Sequence, residues 1–166
     1  YGAVLVPIFP TMVADQAEYI VRDCGEKGVF GLIIVSAGFR EVGREGRALE
    51  QQLLDIAHRY EMRLVGPNGI GVFDGHSRMD TLFQVQERLQ RPVPGSIAMI
   101  TQSGTVGIIF LERLAGLGVS KFVSYGNRTD VDEADLLAYL ADDPETDIIA
   151  VYIEGLEDGR RLLETA

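Results

Sequence analysis

The chain is poor in the residues that would point directly to a chemistry. It holds one cysteine, Cys24, so an internal disulfide framework is excluded. It holds two histidines, His58 and His76, and neither stands in a Cys/His/carboxylate cluster at metal-ligand spacing, so no metal site is expected. No Ser/His/Asp pattern and no Gly-x-Ser-x-Gly elbow is present. No apolar run approaches the ~18 residues of a membrane span, and no charged segment leads into an apolar one at the start. Positive charge is also scarce: 15 Lys and Arg stand against 25 Asp and Glu, for a net −10 over 166 residues. Such a chain is a poor general partner for nucleic acid or an anionic membrane surface. A few backbone N–H groups can still hold a phosphate on an acidic protein. The expectation is a soluble, cytoplasmic protein with neither nucleic acid nor membrane as partner.

What is present is apolar character and glycine. The apolar fraction of 46% is that of a globular domain and too high for disorder. Short, unbroken β-branched runs recur at residues 3–6, 32–35, 63–65, 97–100, 121–123 and 148–153. Strands covered on both faces of a parallel sheet read this way. Between them, helical spacing places Val13, Ala17, Ile20, Val21 and Cys24 on one stripe of residues 11–26, which makes Cys24 a small core residue. Residues 44–61 carry Leu49, Leu53, Ile56 and Tyr60, with His58 half exposed beside them. Residues 103–116 carry Val106, Ile109, Phe110 and Leu114. Residues 131–142 carry Leu136, Leu137 and Leu140 behind a capping-box-like Asp130-Val131-Asp132-Glu133. The alternation predicts an α/β fold of three-layer parallel sheets with right-handed crossovers.

The alternation breaks at residues 71–95, where Gly71, Gly75, Pro92, Pro94 and Gly95 interrupt weak periodicity. Residues 81–90 read equally as an irregular strand or a short helix. A loop this long inside one compact unit is unusual, so the stretch is read as a junction between residues 1–70 and 96–166. The first part offers three strands, fewer than most sheets have. It is expected to lean on the second part or on another copy of the chain, as in an oligomer. Neither end resembles a domain edge, which suggests a piece of a longer protein.

The 19 glycines exceed the roughly 7% usual in proteins, and the informative ones follow strands. Pro7-Ile8-Phe9-Pro10, Ser36-Ala37-Gly38-Phe39 and Gly66-Pro67-Asn68-Gly69 fall at the carboxyl edge of a parallel sheet, where ligands bind. Thr101-Gln102-Ser103-Gly104-Thr105 leads from a strand into a helix. There small residues let N–H groups approach an anion, or Ser103 simply caps a tight turn. Pro67-Asn68 is also an ordinary turn dipeptide. Glu154, at the end of the sixth strand, is a carboxylate placed to meet a ligand or orient a histidine, or a solvated strand end. Together the four turns suggest a phosphate-bearing ligand.

Six stretches carry a resemblance. They are Ser36-Ala37-Gly38-Phe39-Arg40-Glu41-Val42-Gly43, Val65-Gly66-Pro67-Asn68-Gly69, Gln102-Ser103-Gly104-Thr105, Ser120 to Asn127, Asp130 to Leu137, and Tyr152-Ile153-Glu154-Gly155. In order and spacing they resemble the NDP-forming acyl-CoA synthetases, which include ADP-forming acetate–CoA ligase and the α subunit of succinyl-CoA synthetase. The resemblance implies a partial Rossmann-like CoA-binding lobe followed by a flavodoxin-like, succinyl-CoA-synthetase-type lobe. It implies an acid–thiol ligase that joins a small carboxylic acid to coenzyme A, with ATP and ADP, through an acyl phosphate and a phosphohistidine. By motif match, Pro7, Ser36, Gly38 and Asn68 line the CoA side. Ser103, Gly104 and Thr105 head the helix facing the phosphohistidine phosphate. Glu154 matches the catalytic carboxylate that orients that histidine.

Two departures follow. The family's glycine-rich first turn would precede Tyr1, and its phosphorylated histidine lies in a segment beyond Ala166; neither His58 nor His76 takes that place. An ATP-grasp domain or subunit is the implied partner for ATP, and the isolated chain is expected to be inactive. The alternative is a non-catalytic, acyl-CoA-sensing regulatory module. A histidine downstream favours the enzyme, and its replacement favours the sensor.

Overall fold

The computed structural model describes residues 14–166. The strand expected at residues 3–6 and the candidate Pro7 lie outside the described residues.

Residues 14–65 form α1 (Ala14–Glu26), β1 (Gly31–Ile33), α2 (Arg44–Arg59) and β2 (Arg63–Val65). β1 and β2 pair in parallel from Gly31 opposite Arg63 to Ile33 opposite Val65. Val21, Leu53, Ile56, Met62 and Leu64 bury one core, and Cys24 packs against it as a small apolar side chain. His58 is exposed on α2, with Nε2 3.2 Å from Asp130 Oδ1.

The rest of the chain builds β3 (Gly71–Asp74), β4 (Met79–Asp80), β5 (Pro94–Thr101), α3 (Gly104–Leu114), β6 (Val119–Ser124), α4 (Glu133–Ala141), β7 (Ile148–Tyr152) and α5 (Gly159–Thr165). The sheet order is β4-β3-β6-β5-β7. β6, β5 and β7 run parallel, whereas β3 lies antiparallel to both β6 and β4. The sheet is therefore mixed, not wholly parallel. Pairing begins at Gly71, inside the stretch read as a junction. Only Val72 and Phe73 are apolar in that strand, too short a run to register between two glycines, yet both are buried, against different cores. Residues 81–90 form turns, neither strand nor helix. The Arg91 guanidinium donates to the carbonyls of Leu89 (2.6 Å) and Gln84 (2.7 Å) and pairs with Asp80 (2.7 Å). A side chain thus satisfies backbone groups that a sheet would otherwise have to pair.

Of the stripe expected on α3, Val106, Phe110 and Leu114 pack against the core, whereas Ile109 is exposed and the buried positions are Gly107 and Leu111. A Cβ on Gly107 would lie 2.7 Å from Phe122 Cζ, so the glycine is what lets the helix approach β6. A hydrophobic stripe gives glycine no weight. At α4 the cap is Asp132, whose Oδ1 accepts from the N–H groups of Ala134 and Asp135 at 3.0 Å. Asp130 serves elsewhere, accepting from Leu64 N–H at 2.7 Å. From there residues 127–131 run alongside 64–67. Val131 N–H donates to Leu64 O (3.1 Å), Thr129 N–H to Gly66 O (3.3 Å) and Asn127 N–H to Pro67 O (2.8 Å). This ladder seats the two-stranded sheet against the five-stranded one. No described helix is long and apolar enough to cross a membrane.

Candidate functional site

The carboxyl ends of β5, β6 and β7 lie side by side, and each opens into a turn. After β5, Thr101 Oγ1 accepts from Ser103 N–H (3.1 Å) and donates to Ser103 O (2.9 Å). Ser103 Oγ accepts from Val106 N–H at 3.3 Å, so Ser103 is the N-cap of α3. Helix geometry leaves the N–H groups of Gly104 and Thr105 without an intrahelical acceptor, at the positive end of the helix dipole.

After β7 comes Glu154-Gly155, held by Gln102. The Gln102 side-chain oxygen accepts from the N–H groups of Glu154 and Gly155 (3.1 Å to the latter), and its nitrogen donates to Gly155 O at 3.2 Å. The Arg128 guanidinium donates to the same carbonyl at 2.6 Å. Glu154 itself is exposed.

β6 ends at Ser124 and is followed by Tyr125, Gly126 and Asn127. The Gly66-Pro67-Asn68-Gly69 loop stacks on this turn: a Cβ at Gly69 would lie 2.2 Å from Ser124 O, and Ile70 N–H donates to Ser124 Oγ at 3.1 Å. A Cβ at Gly104 would lie 2.8 Å from Ile70 Cγ2, so the same loop also touches the start of α3.

Of the candidates on the CoA side, Ser36 and Asn68 meet directly, since Asn68 N–H donates to Ser36 O at 2.9 Å. Asn68 Nδ2 donates to Asn127 Oδ1 (3.3 Å), and Asn127 Nδ2 donates to Glu41 Oε2 (2.8 Å). Gly38, the third described candidate on that side, donates its N–H to Glu41 Oε1, as does Phe39 N–H at 3.1 Å. Burial works against the Glu41 charge, but the Asn127 amide and these N–H groups outweigh it and hold the carboxyl below its ordinary pKa. Behind it, buried Glu50 accepts four bonds: from Arg40 N–H (3.1 Å) and Nε (2.5 Å), Asn127 Nδ2 (2.9 Å) and Thr129 Oγ1 (2.6 Å).

The described candidates therefore fall into two groups, Ser36/Gly38/Asn68 and Ser103/Gly104/Thr105/Glu154. Adjacent residues Asn127 and Arg128 join them. Glu41, Glu50, Gln102, Asn127 and Arg128 had no assigned role in the sequence. Glu41, Gln102 and Asn127 stand inside the resembling stretches, which was the available signal; Glu50 and Arg128 stand outside them.

Residues 94–166 match the model of the succinyl-CoA ligase like flavodoxin domain. Over 146 residues the chain is 45% identical to the ADP-forming acetate–CoA ligase II subunit alpha of Pyrococcus furiosus, covering 87% of this chain and 31% of that subunit. The chain belongs to the NDP-forming acyl-CoA synthetase family. Among solved structures, a Pyrococcus horikoshii protein superposes with a TM-score of 0.84 at 39% identity, over 95% of this chain and 35% of that one. The dinucleotide forming acetyl-coenzyme A synthetase 1 of Ca. Korarchaeum cryptofilum, in complex with phosphate and ADP, gives 0.82 at 34% identity, over 95% and 33%. The chain thus spans about a third of the length of these three proteins.

Proposed function

We propose that this chain is the CoA-binding and phosphoryl-facing core of an acyl-CoA synthetase, residues 1–70 serving CoA and residues 96–166 the phosphoryl group. The assembled enzyme would join a small carboxylic acid to coenzyme A with ATP and ADP, through an acyl phosphate and a phosphohistidine, with an ATP-grasp domain or subunit supplying the nucleotide site. The observation that carries this reading is the meeting of Ser103-Gly104-Thr105 and Glu154 at one sheet edge, joined by Gln102.

A phosphoryl group held on an imidazole carries concentrated negative charge. N–H groups at a helix start offset that charge without reorganising, a preorganised electrostatic contribution. Glu154 lies one side chain away, where a carboxylate can accept from a histidine N–H and fix the ring's orientation. Ser36 and Asn68, on the neighbouring loops, would position the CoA thiol, a proximity contribution.

The test is labelling by radioactive ATP in the synthetase reassembled with its histidine-bearing and nucleotide-binding parts. Thr105 is exposed on the first turn of α3. Thr105→Asp puts a negative charge where the phosphoryl group would sit, and labelling should fall about a hundredfold. The same substitution complements the helix dipole, so stability should hold or rise by about 0.3–1 kcal/mol. Full labelling in Thr105→Asp would refute the anion site.

A further inference from the structure

The Glu154-Gly155 turn is held from two sides, by the side chains of Gln102 and Arg128. Gln102 takes both of its N–H groups on one oxygen and returns a bond to Gly155 O. It also donates its own backbone N–H to Tyr152 O at 3.1 Å. Because Gln102 directly precedes the N-cap Ser103, the turn's position is tied to the start of α3. Arg128 reaches the same Gly155 carbonyl from the β6 loop at 2.6 Å.

Arg128 is itself held. It is 12% exposed at the side chain and pairs with buried Glu133 (3.2 Å) and with Glu157 (3.5 Å). Its backbone sits at φ +48°, a conformation that costs a non-glycine residue free energy and persists where surrounding structure enforces it. Here the enforcement is visible on both sides: Arg128 N–H donates to Tyr125 O (3.0 Å), and the next residue, Thr129, bonds Gly66 O and Glu50. A long, largely buried, charged side chain on a strained backbone, held by two carboxylates, thus fixes the Gly155 carbonyl in place.

We propose that Gln102 and Arg128 are positioning residues that hold the Glu154 carboxylate in register with the α3 N-terminus, and that Arg128 does so from the loop whose preceding residue, Asn127, contacts the CoA side. This rests on the reading of Glu154 given above. Neither residue touches the reacting atoms; Gln102 acts through the N–H groups of Glu154 and Gly155, and Arg128 through the Gly155 carbonyl.

The experiment is a double-mutant cycle on phosphoenzyme formation in the full-length synthetase, with kcat and the KM for CoA read separately. Glu154→Gln alone, Arg128→Met alone and Gln102→Leu alone should each lower the phosphorylation rate at least tenfold and leave the KM for CoA within twofold. Once Glu154 is Gln, adding Arg128→Met or Gln102→Leu should cost less than a further twofold, because residues acting as one unit are not additive. Arg128→Lys keeps the charge but loses the planar fork, and should recover part of the rate. Should Arg128→Met fail to fold, the Gln102→Leu arm carries the cycle.

Additive losses would assign Gln102 and Arg128 to general structure and overturn the proposal. Full activity in both Arg128→Met and Gln102→Leu, with Glu154→Gln impaired, would overturn the positioning role and leave the Glu154 reading standing. Full activity in Glu154→Gln would overturn both.

Discussion

Glu50 Oε2 and Asn127 Nδ2 lie 2.9 Å apart, joining a helix of the two-stranded unit to a loop of the five-stranded one across 77 residues of sequence. Glu50 is 2% exposed, so its charge is paid for entirely by its four donors. Glu50→Ala should cost about 3 kcal/mol, because it strands Arg40, Asn127 and Thr129 donors around a cavity. Urea unfolding would show a lower midpoint at unchanged slope. A loss under about 1 kcal/mol would mean that the network does not hold the two units together.

Gly126 stands at φ +51°, and a Cβ there would lie 2.1 Å from Pro67 O and 2.6 Å from Asn68 C. Both neighbours are backbone and neither can rotate away. Gly126→Ala should cost about 3 kcal/mol by thermal or urea unfolding. Gly116 is the control: a Cβ there meets nothing within 4 Å and its φ is unexceptional, so Gly116→Ala should be neutral or stabilising by up to about 1 kcal/mol.

Acid should loosen the contact between the two units. Burial works against the Asp130 charge, but Leu64 N–H, Arg63 and His58 bond to it and together hold its pKa below the ordinary value. Asp74, Asp143 and Glu41 are lowered as well. A carboxyl with a lower pKa folded than unfolded binds protons more readily in the unfolded chain. Its stabilisation is therefore complete above the unfolded value, near 4, and is lost as pH falls through the folded value. Stability should be flat from neutral pH to about 5 and then decline. Asp130→Asn should be less stable at pH 7 and decline less steeply. An identical acid slope in the variant would remove Asp130 from the account.

Asn68 is exposed beside Ser36, in the left-handed region at φ +61°. Asn68→Gly keeps that backbone conformation and removes only the amide. If Asn68 contacts CoA, isothermal titration should show affinity about tenfold weaker, equivalent to ~1.4 kcal/mol. Unchanged affinity would move the CoA site away from this loop.

The α/β alternation and most element positions were legible in the sequence because each rests on short-range chemistry. Apolar periodicity made the core of α2 readable, and Leu53 and Ile56 are buried there as expected. Turn residues after strands marked the loops that do assemble at one edge. Signals that depend on small or sparse residues were not readable. β3 has two apolar residues between glycines, and the inner face of α3 is centred on Gly107.

The tertiary structure alone decided which turns meet and what holds them. Gln102 and Glu154 are 52 residues apart, Glu41 and Asn127 are 86, and Arg63 and Asp130 are 67. No spacing rule connects such pairs. Each is one polar side chain on a different element, and its partner is set only when the strands line up in the order β4-β3-β6-β5-β7 and the 127–131 segment runs beside 64–67. Hydrogen bonds are short-ranged and directional, so a chain can encode the groups that make them without revealing which ones will come within 3 Å.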